Sequence, residues 1–497
     1  MRKKVLFFIV MYIINVFLIL DLVNFKINNV FIISLILQLF LFAGIFILFE
    51  TEKFKSLNLE KKFIICYTII GLFYLFFFPI GSLPDEYNHF YRSYEVSRGN
   101  LMSKKCKVDN GYYAGCNTIT DEITNAITNS NKYKNISDAL KYKYNKNSPK
   151  RWITFTNISM YSFVCYIPQA LGILIGRILH LPILIWAYLA RLFNFIMFIL
   201  LLYFSLKHIP YKKTTIFFIS LLPITLQEVV SMAADCMAIG VSIAFVSYIL
   251  FLKESDSKIT YKQTLLILVF SLLLSMSKLV YLPVCIFSFI LPSKKFKNQK
   301  SKFLILGFIL IFVGLLNLIW LKIASQFLLS IEGNANPNLQ MNLILHKPWI
   351  FLIAIYNTFT QSFDYYVNST LGSSLGLFDI SISNIYVKFN VIVLSLLILF
   401  DKINNKKNQL NYFSLFISIC VILLISTSLY LDWTSVGSNI IDGIQGRYFI
   451  PILFIISMGL STNLFKIKDN NILNQKNLLI VMFMESIYVI NYLLNFY

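Results

Sequence analysis

Apolar runs follow one another along the chain at 5–24, 29–49, 62–80, 159–179, 182–206, 213–231, 235–253, 263–292, 301–324, 384–401, 410–430, 447–465 and 477–495. About 20 such residues are what a helix needs to cross a bilayer. The run 263–292 is too long for one untilted span and carries Lys278 and Pro283 near its middle. Basic segments at 253–262 and 294–302 bound it, so an even number of crossings must join them if both face one side. Two short spans meeting at Lys278 on the far face are expected. Parity also bears on 159–179. If that run crossed, Lys207, Lys212, Lys213 and every later basic loop would change sides. Its Tyr166, Pro168, Gln169 and Arg177 suit a helix lying along the membrane instead.

The result is an all-α, polytopic protein of thirteen spans with its N-terminus inside and its C-terminus outside. Met-Arg-Lys-Lys before the first run imitates a secretory signal. That run is too long and lacks a small-x-small cleavage site before Asn24, so it is taken as an uncleaved span. Two long polar segments, 81–158 and 325–383, then both lie outside. Three regions are expected: two additional N-terminal spans at 1–61, a membrane core with its outer loops at 62–383, and a C-terminal bundle at 384–497. No internal repeat is evident.

Composition agrees with the pattern. The chain is 57% hydrophobic and only 13% charged, with a mean hydropathy of +0.70. The net charge of +21 suggests nucleic acid only while its location is ignored. Short segments between spans (2–4, 53–62, 207–213, 253–262, 294–302, 402–407 and 466–476) hold 24 of the 44 Lys and Arg, and the opposite loop 431–446 holds none. That is the positive-inside bias of an integral membrane protein, with some attraction to anionic lipid headgroups. Nucleic acid is excluded as a partner. The Asn, Lys and Ile richness fits an AT-rich bacterial genome. Cys66, Cys165, Cys236, Cys285 and Cys420 sit in or beside apolar helices, where a buried thiol is a small hydrophobe. Cys106 and Cys116 lie in the long polar segment, and if that segment is outside, a disulfide between them is expected.

Candidate chemistry gathers at one face. Pro84-Asp85-Glu86-Tyr-Asn-His89-Phe-Tyr-Arg92 begins shortly after an apolar helix ends, and spacings of three and four put Asp85, His89 and Arg92 on one helical side. Asp235 opens the helix 236–253, with Glu228 one to two turns earlier. Lys278 lies in Ser-Lys-Leu-Val-Tyr281-Leu-Pro. Residues 371–379 form a Gly-Ser-rich stretch ending at Asp379, and Gln445-Gly-Arg447-Tyr448 follows an outer loop. Each has a plainer reading. Asp235 serves as an N-cap, Lys278 snorkels, Arg447 anchors at the interface and His89 is a satisfied histidine. Taken together they bring carboxylates and cations from five chain segments to one membrane face. Glycosyl transfer from a lipid phosphate needs that combination: a carboxylate to take the acceptor proton, and cations to stabilise the departing phosphate.

The order of these segments resembles the GT-C superfamily of polyprenyl-phosphate-dependent glycosyltransferases. The corresponding residues are Asp85-Glu86, Tyr161 to Gln169, Ala190-Arg191-Leu192, Asp235, Ser277-Lys278 to Pro283 and Gly446-Arg447-Tyr448. A closer resemblance is to a bacterial branch, domain-of-unknown-function family 2142. Its Pro-Asp-Glu-x-x-His-x-x-Arg, Gly-x-Leu-Gly-like and Gln-Gly-Arg-Tyr motifs match 84–92, 372–379 and 445–448. The resemblance implies that Asp85, with Glu86 behind it and Asp235 as a second acidic site, carries catalysis. It implies that His89, Arg92, Lys278, Tyr281, Gln445, Arg447 and Tyr448 bind substrate. Asp85 and Asp235 would ligate a divalent metal, magnesium or manganese, if one is used. Two departures stand out: Ala233-Ala234 precede Asp235 where a hydroxyl is usual, and Ser162-Phe163 replaces a proline pair.

The expected function is transfer of a sugar from a polyprenyl-phosphate donor to a cell-surface glycan or lipid-linked acceptor, on the outer face of the cytoplasmic membrane. The alternative is a transporter or flippase, or a polymerase, of lipid-linked surface polysaccharide. A flippase predicts ionisable residues at mid-membrane depth and repeat symmetry. A polymerase predicts arginine-rich outer loops, and 325–383 holds no arginine.

Overall fold

The computed structural model describes residues 29–107, 113–128, 136–327, 335–378, 380–382, 384–401 and 409–461, with isolated positions between 9 and 16. The expected span 477–495, most of 5–24, the basic segments 2–4, 402–407 and 466–476, and Asp379 lie outside the described residues.

Helices dominate, as the apolar runs require. In chain order they include α1 (Asn29–Glu50), α2 (Leu59–Phe77), α3 (Glu86–Ser97), α4 (Ile167–Ile178), α5 (Ile183–His208), α6 (Lys213–Leu221), α7 (Pro223–Val230), α8 (Asp235–Glu254) and α9 (Tyr261–Ser277). A 3-10 helix, Leu279–Ile290, follows. Then come α10 (Gln299–Ala324), α11 (Pro337–His346), α12 (Pro348–Gln361), α13 (Phe363–Thr370), α14 (Asn384–Phe400), α15 (Gln409–Asp432) and α16 (Ile450–Gly459).

The thirteen-span expectation is corrected. Among the described residues four helices, α5, α8, α10 and α15, are long and apolar enough to cross a bilayer, and the number reaches six only if each of two bent pairs is a single span. Hydropathy counts apolar residues and is blind to breaks in the hydrogen-bond ladder. Pro223 lacks the N–H that would continue α6, and α7 leaves it at 70°. The run 263–292 divides at Lys278 into the 17-residue α9 and the 12-residue 3-10 helix. That helix returns toward the basic end, where Ile259 N donates to the Lys295 carbonyl at 2.9 Å. Lys278 sits at the turning point. The run 159–179 gives a 3-10 turn, Phe163–Tyr166, leading into the 12-residue α4, whose length of about 18 Å is short of a bilayer core. It packs on α5 where Gly172 meets the Leu189 backbone and Gly176 meets the Trp186 ring, leaving no room for a side chain at either glycine.

The polar segment 81–158 is not purely helical. It carries an antiparallel sheet of β1 (Lys104–Lys107), β2 (Tyr113–Thr120) and β3 (Lys150–Thr154), in that order. Cys106 on β1 and Cys116 on β2 are disulfide-bonded, with Cα atoms 6.1 Å apart. Phe90, Tyr94, Ile119, Ile123, Tyr166 and Trp186 form an apolar core beneath this sheet, separate from the larger core between the membrane helices. The segment 325–383, expected as a polar loop, instead holds the bent apolar pair α11–α12.

Successive helices run back and forth, so their ends sort. The start of α2, the ends of α5 and α8 and the starts of α6 and α9 share one end of the bundle. Lys213 pairs with Glu60 there, and Asp401 accepts from Thr215 N at 3.0 Å. The end of α2 and the starts of α3, α5 and α8 share the other. Among the described residues, the candidates Asp85, Glu86, His89, Asp235, Lys278 and Arg447 collect at this second end.

Candidate functional site

Arg191 of α5 organises the turn after α2. Its guanidinium donates to the carbonyls of Leu75 (3.4 Å), Phe78 (2.5 Å) and Pro79 (2.8 Å) at the end of α2 and just past it. It also holds both oxygens of Glu86, Nε to Oε1 at 2.7 Å and Nη2 to Oε2 at 2.6 Å. Gly81 N donates to Glu86 Oε2 at 2.7 Å. Both side chains of this pair are fully buried. Glu86 is thus consumed in fixing the chain reversal that starts α3.

Next to it, Asp85 takes a left-handed backbone, φ 56°. Asp tolerates that region better than most residues, at a cost of about 1–2 kcal/mol, and such strain concentrates at functional sites. Its side chain remains 53% exposed, with Oδ2 at 3.5 Å from Arg447 Nη2. Arg447 rises from the 3-10 turn Gly446–Phe449. Gly446 is pressed against the Ser369–Thr370 backbone, and Thr370 Oγ1 donates to its carbonyl at 3.0 Å. Arg447 Nε donates to Gln445 Oε1 at 2.7 Å, and Nη1 faces Glu228 Oε1 at 3.5 Å without a hydrogen bond. The ends of this guanidinium are therefore loosely held.

Lys278 pairs with Asp235 Oδ1 at 2.5 Å. Its ammonium lies 5.4 Å from the Tyr161 ring centre and 5.0 Å from that of Tyr448, while Arg447 lies 5.5 Å from Tyr448. Two cations thus flank one ring, a stabilising arrangement where water is excluded. Tyr281 OH donates to the Tyr448 carbonyl at 3.0 Å and fixes that ring's backbone.

His89 is buried, with Nδ1 at 2.9 Å from Tyr166 OH and its ring parallel to Tyr161. Burial pushes its pKa down to about 4; Asp85 and Asp235 oppose the shift, and Arg447 and Lys278 add to it. Its imidazole is neutral at pH 7. Arg92 turns away from the site. It donates to Glu95 Oε2 (2.5 Å) and to the Leu101 carbonyl (2.6 Å), and Ser103 Oγ donates to the same carboxylate at 2.7 Å. Burial raises the Glu95 pKa, and Arg92 opposes that shift. Arg92 therefore ties the loop after α3 to that helix, a structural engagement in place of the expected substrate contact.

A cleft of about 430 Å³ opens between α9, α10 and α15 and ends on Lys278 and Tyr448. Its walls are mainly apolar, from Leu279, Leu321, Leu424 and Ile425, with Asn317, Trp320 and Asp432 among the polar points. Sequence reasoning did not reach Trp320, which lies inside an apolar stretch with no signal of its own, and placed Asp432 in the outer loop before Arg447 without giving it a role. Tyr161 and Tyr166 were visible only as part of an aromatic segment. Among the described residues no group of three or more His, Cys, Asp or Glu is placed to hold a metal. Asp235 is spent on Lys278 and Asp85 stands beside Arg447, so this cation-rich donor set does not fit a divalent ion.

The fold and the polar cluster define a helical membrane protein with an electrostatically organised site at one end of its bundle. A family model described as a predicted membrane protein (DUF2142) matches residues 68–456, and the chain belongs to that family. No curated protein and no solved structure matches the chain.

Proposed function

We propose that this protein is a GT-C-type glycosyltransferase that moves a sugar from a polyprenyl phosphate to a glycan or lipid-linked acceptor. One observation carries the reading: an apolar cleft ends on two cations sharing the Tyr448 ring, with the half-exposed Asp85 carboxylate on the far side of one of them. An isoprenoid tail suits the cleft, and its phosphate suits Lys278 and Arg447. The acceptor hydroxyl oxygen attacks the anomeric carbon, the carbon–oxygen bond to phosphate breaks, and its electron pair stays on the phosphate. Asp85 takes the hydroxyl proton as the new bond forms. Arg447 and Lys278 stabilise the charge on the leaving phosphate. Asp235 holds Lys278 in place, Glu86 shapes the turn, and no step runs through a metal. The basic connections at the opposite end of the bundle favour a cytoplasmic position for that end under the positive-inside rule, and Asp85 would then face outward. Nucleotide sugars are not supplied there, and this favours a lipid-linked donor.

The test is donor titration with Arg447→Ala in native membranes. Loss of a hydrogen bond to a charged group is worth about 1.5–3 kcal/mol, so the KM for polyprenyl-phosphate sugar should rise about tenfold to a hundredfold. An unchanged donor dependence contradicts the assignment.

A further inference from the structure

The bent pair α11–α12 presents an apolar surface that the site does not use. Its two helices meet at 105°. At 14 residues α12 is about 21 Å long, too short to cross a bilayer. One side of α12 faces the protein. Phe351 packs on Tyr430 of α15 with ring centres 5.0 Å apart, Thr358 Oγ1 accepts from Ile441 N at 2.8 Å, and Phe359 meets Phe449 at 6.4 Å. The opposite side exposes Trp349, Leu352, Ile353 and Tyr356, at helical spacings of three and four, with no charged residue among them. Trp349 is 56% and Tyr356 69% exposed.

We infer that α12 lies in the outer leaflet as a lipid-inserted wedge, its Trp349–Tyr356 stripe in contact with lipid chains at the headgroup boundary. Three observations identify the occupant as lipid. The stripe's buried side seats on α15, a membrane-length helix whose own exposed residues, Phe416, Ile419 and Leu423, must face lipid. Trp and Tyr are the residues enriched where bilayer meets water. The polar neighbours Asn342, His346 and Lys347 fall on α11 and at the bend, off the stripe. The insertion has a structural consequence. Gln340 Oε1 accepts from Gly437 N at 2.9 Å, and Asn357 Nδ2 donates to the Asn439 carbonyl at 3.1 Å, so the wedge holds the loop that leads to Arg447. Lipid thereby sets the level of the loop that carries Arg447. Insertion holds whichever reaction the site performs.

The full-length chain, reconstituted in phosphatidylcholine–phosphatidylglycerol vesicles, tests this with an environment-sensitive fluorophore on Tyr356→Cys, corrected for the wild-type background. Ile419→Cys on α15 is the lipid control and Asn342→Cys the water control. Lipid brominated near the headgroup should quench the Tyr356 label at least as strongly as the mid-span Ile419 label, and iodide should quench it several-fold less than the Asn342 label. Quenching by iodide as strong as at Asn342 overturns the wedge. So does quenching by neither agent together with Tyr356→Cys cross-linking between chains, which would mean a second copy covers the stripe. Stronger quenching by lipid brominated near the bilayer centre also overturns it, because the helix would then cross. Leu352→Cys, one turn away, gives the same reading should the first variant fail to accumulate.

Discussion

Asp85 and Glu86 are adjacent in the chain and each meets an arginine, but the two meetings differ in kind. Glu86 and Arg191 form a two-pronged, fully buried pair, and backbone groups take up what remains of their hydrogen-bonding capacity. Asp85 and Arg447 approach only to 3.5 Å, with the carboxylate half exposed. Arg92 and Glu95, further along α3, are also fully buried but are joined by one contact, Nη1 to Oε2 at 2.5 Å. A pair closed on itself has no free lone pair for a substrate and acts as scaffold. A long, open pair can exchange its partner for a phosphate or a hydroxyl at little cost. The closed pairs hold the open one in position: Arg191 fixes the turn that forces Asp85 into its left-handed backbone.

The comparison can be broken at several strengths. Glu86→Ala strands a buried guanidinium, and removing one partner of such a pair costs about 3–5 kcal/mol. Thermal aggregation in mild detergent should show a large drop in midpoint and little folded protein in membranes. A near-normal midpoint would place Glu86 among the open residues. A smaller effect is expected at the covalent brace of the outer segment. Removing the Cys106–Cys116 link by paired substitution to Ser should cost the β1–β2 region about 2–3 kcal/mol on the chain-entropy model. In the native chain, denaturing, non-reducing titration should count five reactive thiols of the seven cysteines. Seven would mean that the bond does not form. The smallest effect belongs to Asp85→Asn, whose side chain is exposed and loosely paired. Its stability should stay within about 0.5 kcal/mol of wild type, and a shift as large as that of Glu86→Ala would erase the distinction.

Much of this arrangement was legible in the sequence, for identifiable reasons. Lys278 was expected at a turning point because two basic flanks demanded an even number of crossings, and α9 and the returning 3-10 helix meet there. The short α4 came from the same parity. Residues from distant segments, Asp85, Asp235, Lys278 and Arg447, do gather at one end of the bundle. What the sequence hid was partnership. Spacing put Asp85, His89 and Arg92 on one side of α3, but it could not show that Arg92 turns to Glu95 or that Glu86 meets Arg191, which is 105 positions away. Span count failed where Pro223 and Lys278 interrupt apolar runs, since hydropathy does not register a broken backbone ladder. The wedge α11–α12 escaped because Asn, Gln, His and Lys dilute its apolar content until it resembles a loop.

The most direct measurement is label incorporation from a radiolabelled polyprenyl-phosphate sugar into glycan, using native membranes that contain wild type or Asp85→Asn at matched protein level. Losing a general base costs about 10²–10⁴-fold in rate, so Asp85→Asn should transfer at that fraction of wild type while remaining folded and membrane-bound. Transfer by Asp85→Asn at the wild-type rate would contradict the account, because the open carboxylate beside Arg447 would then take no part in the chemistry.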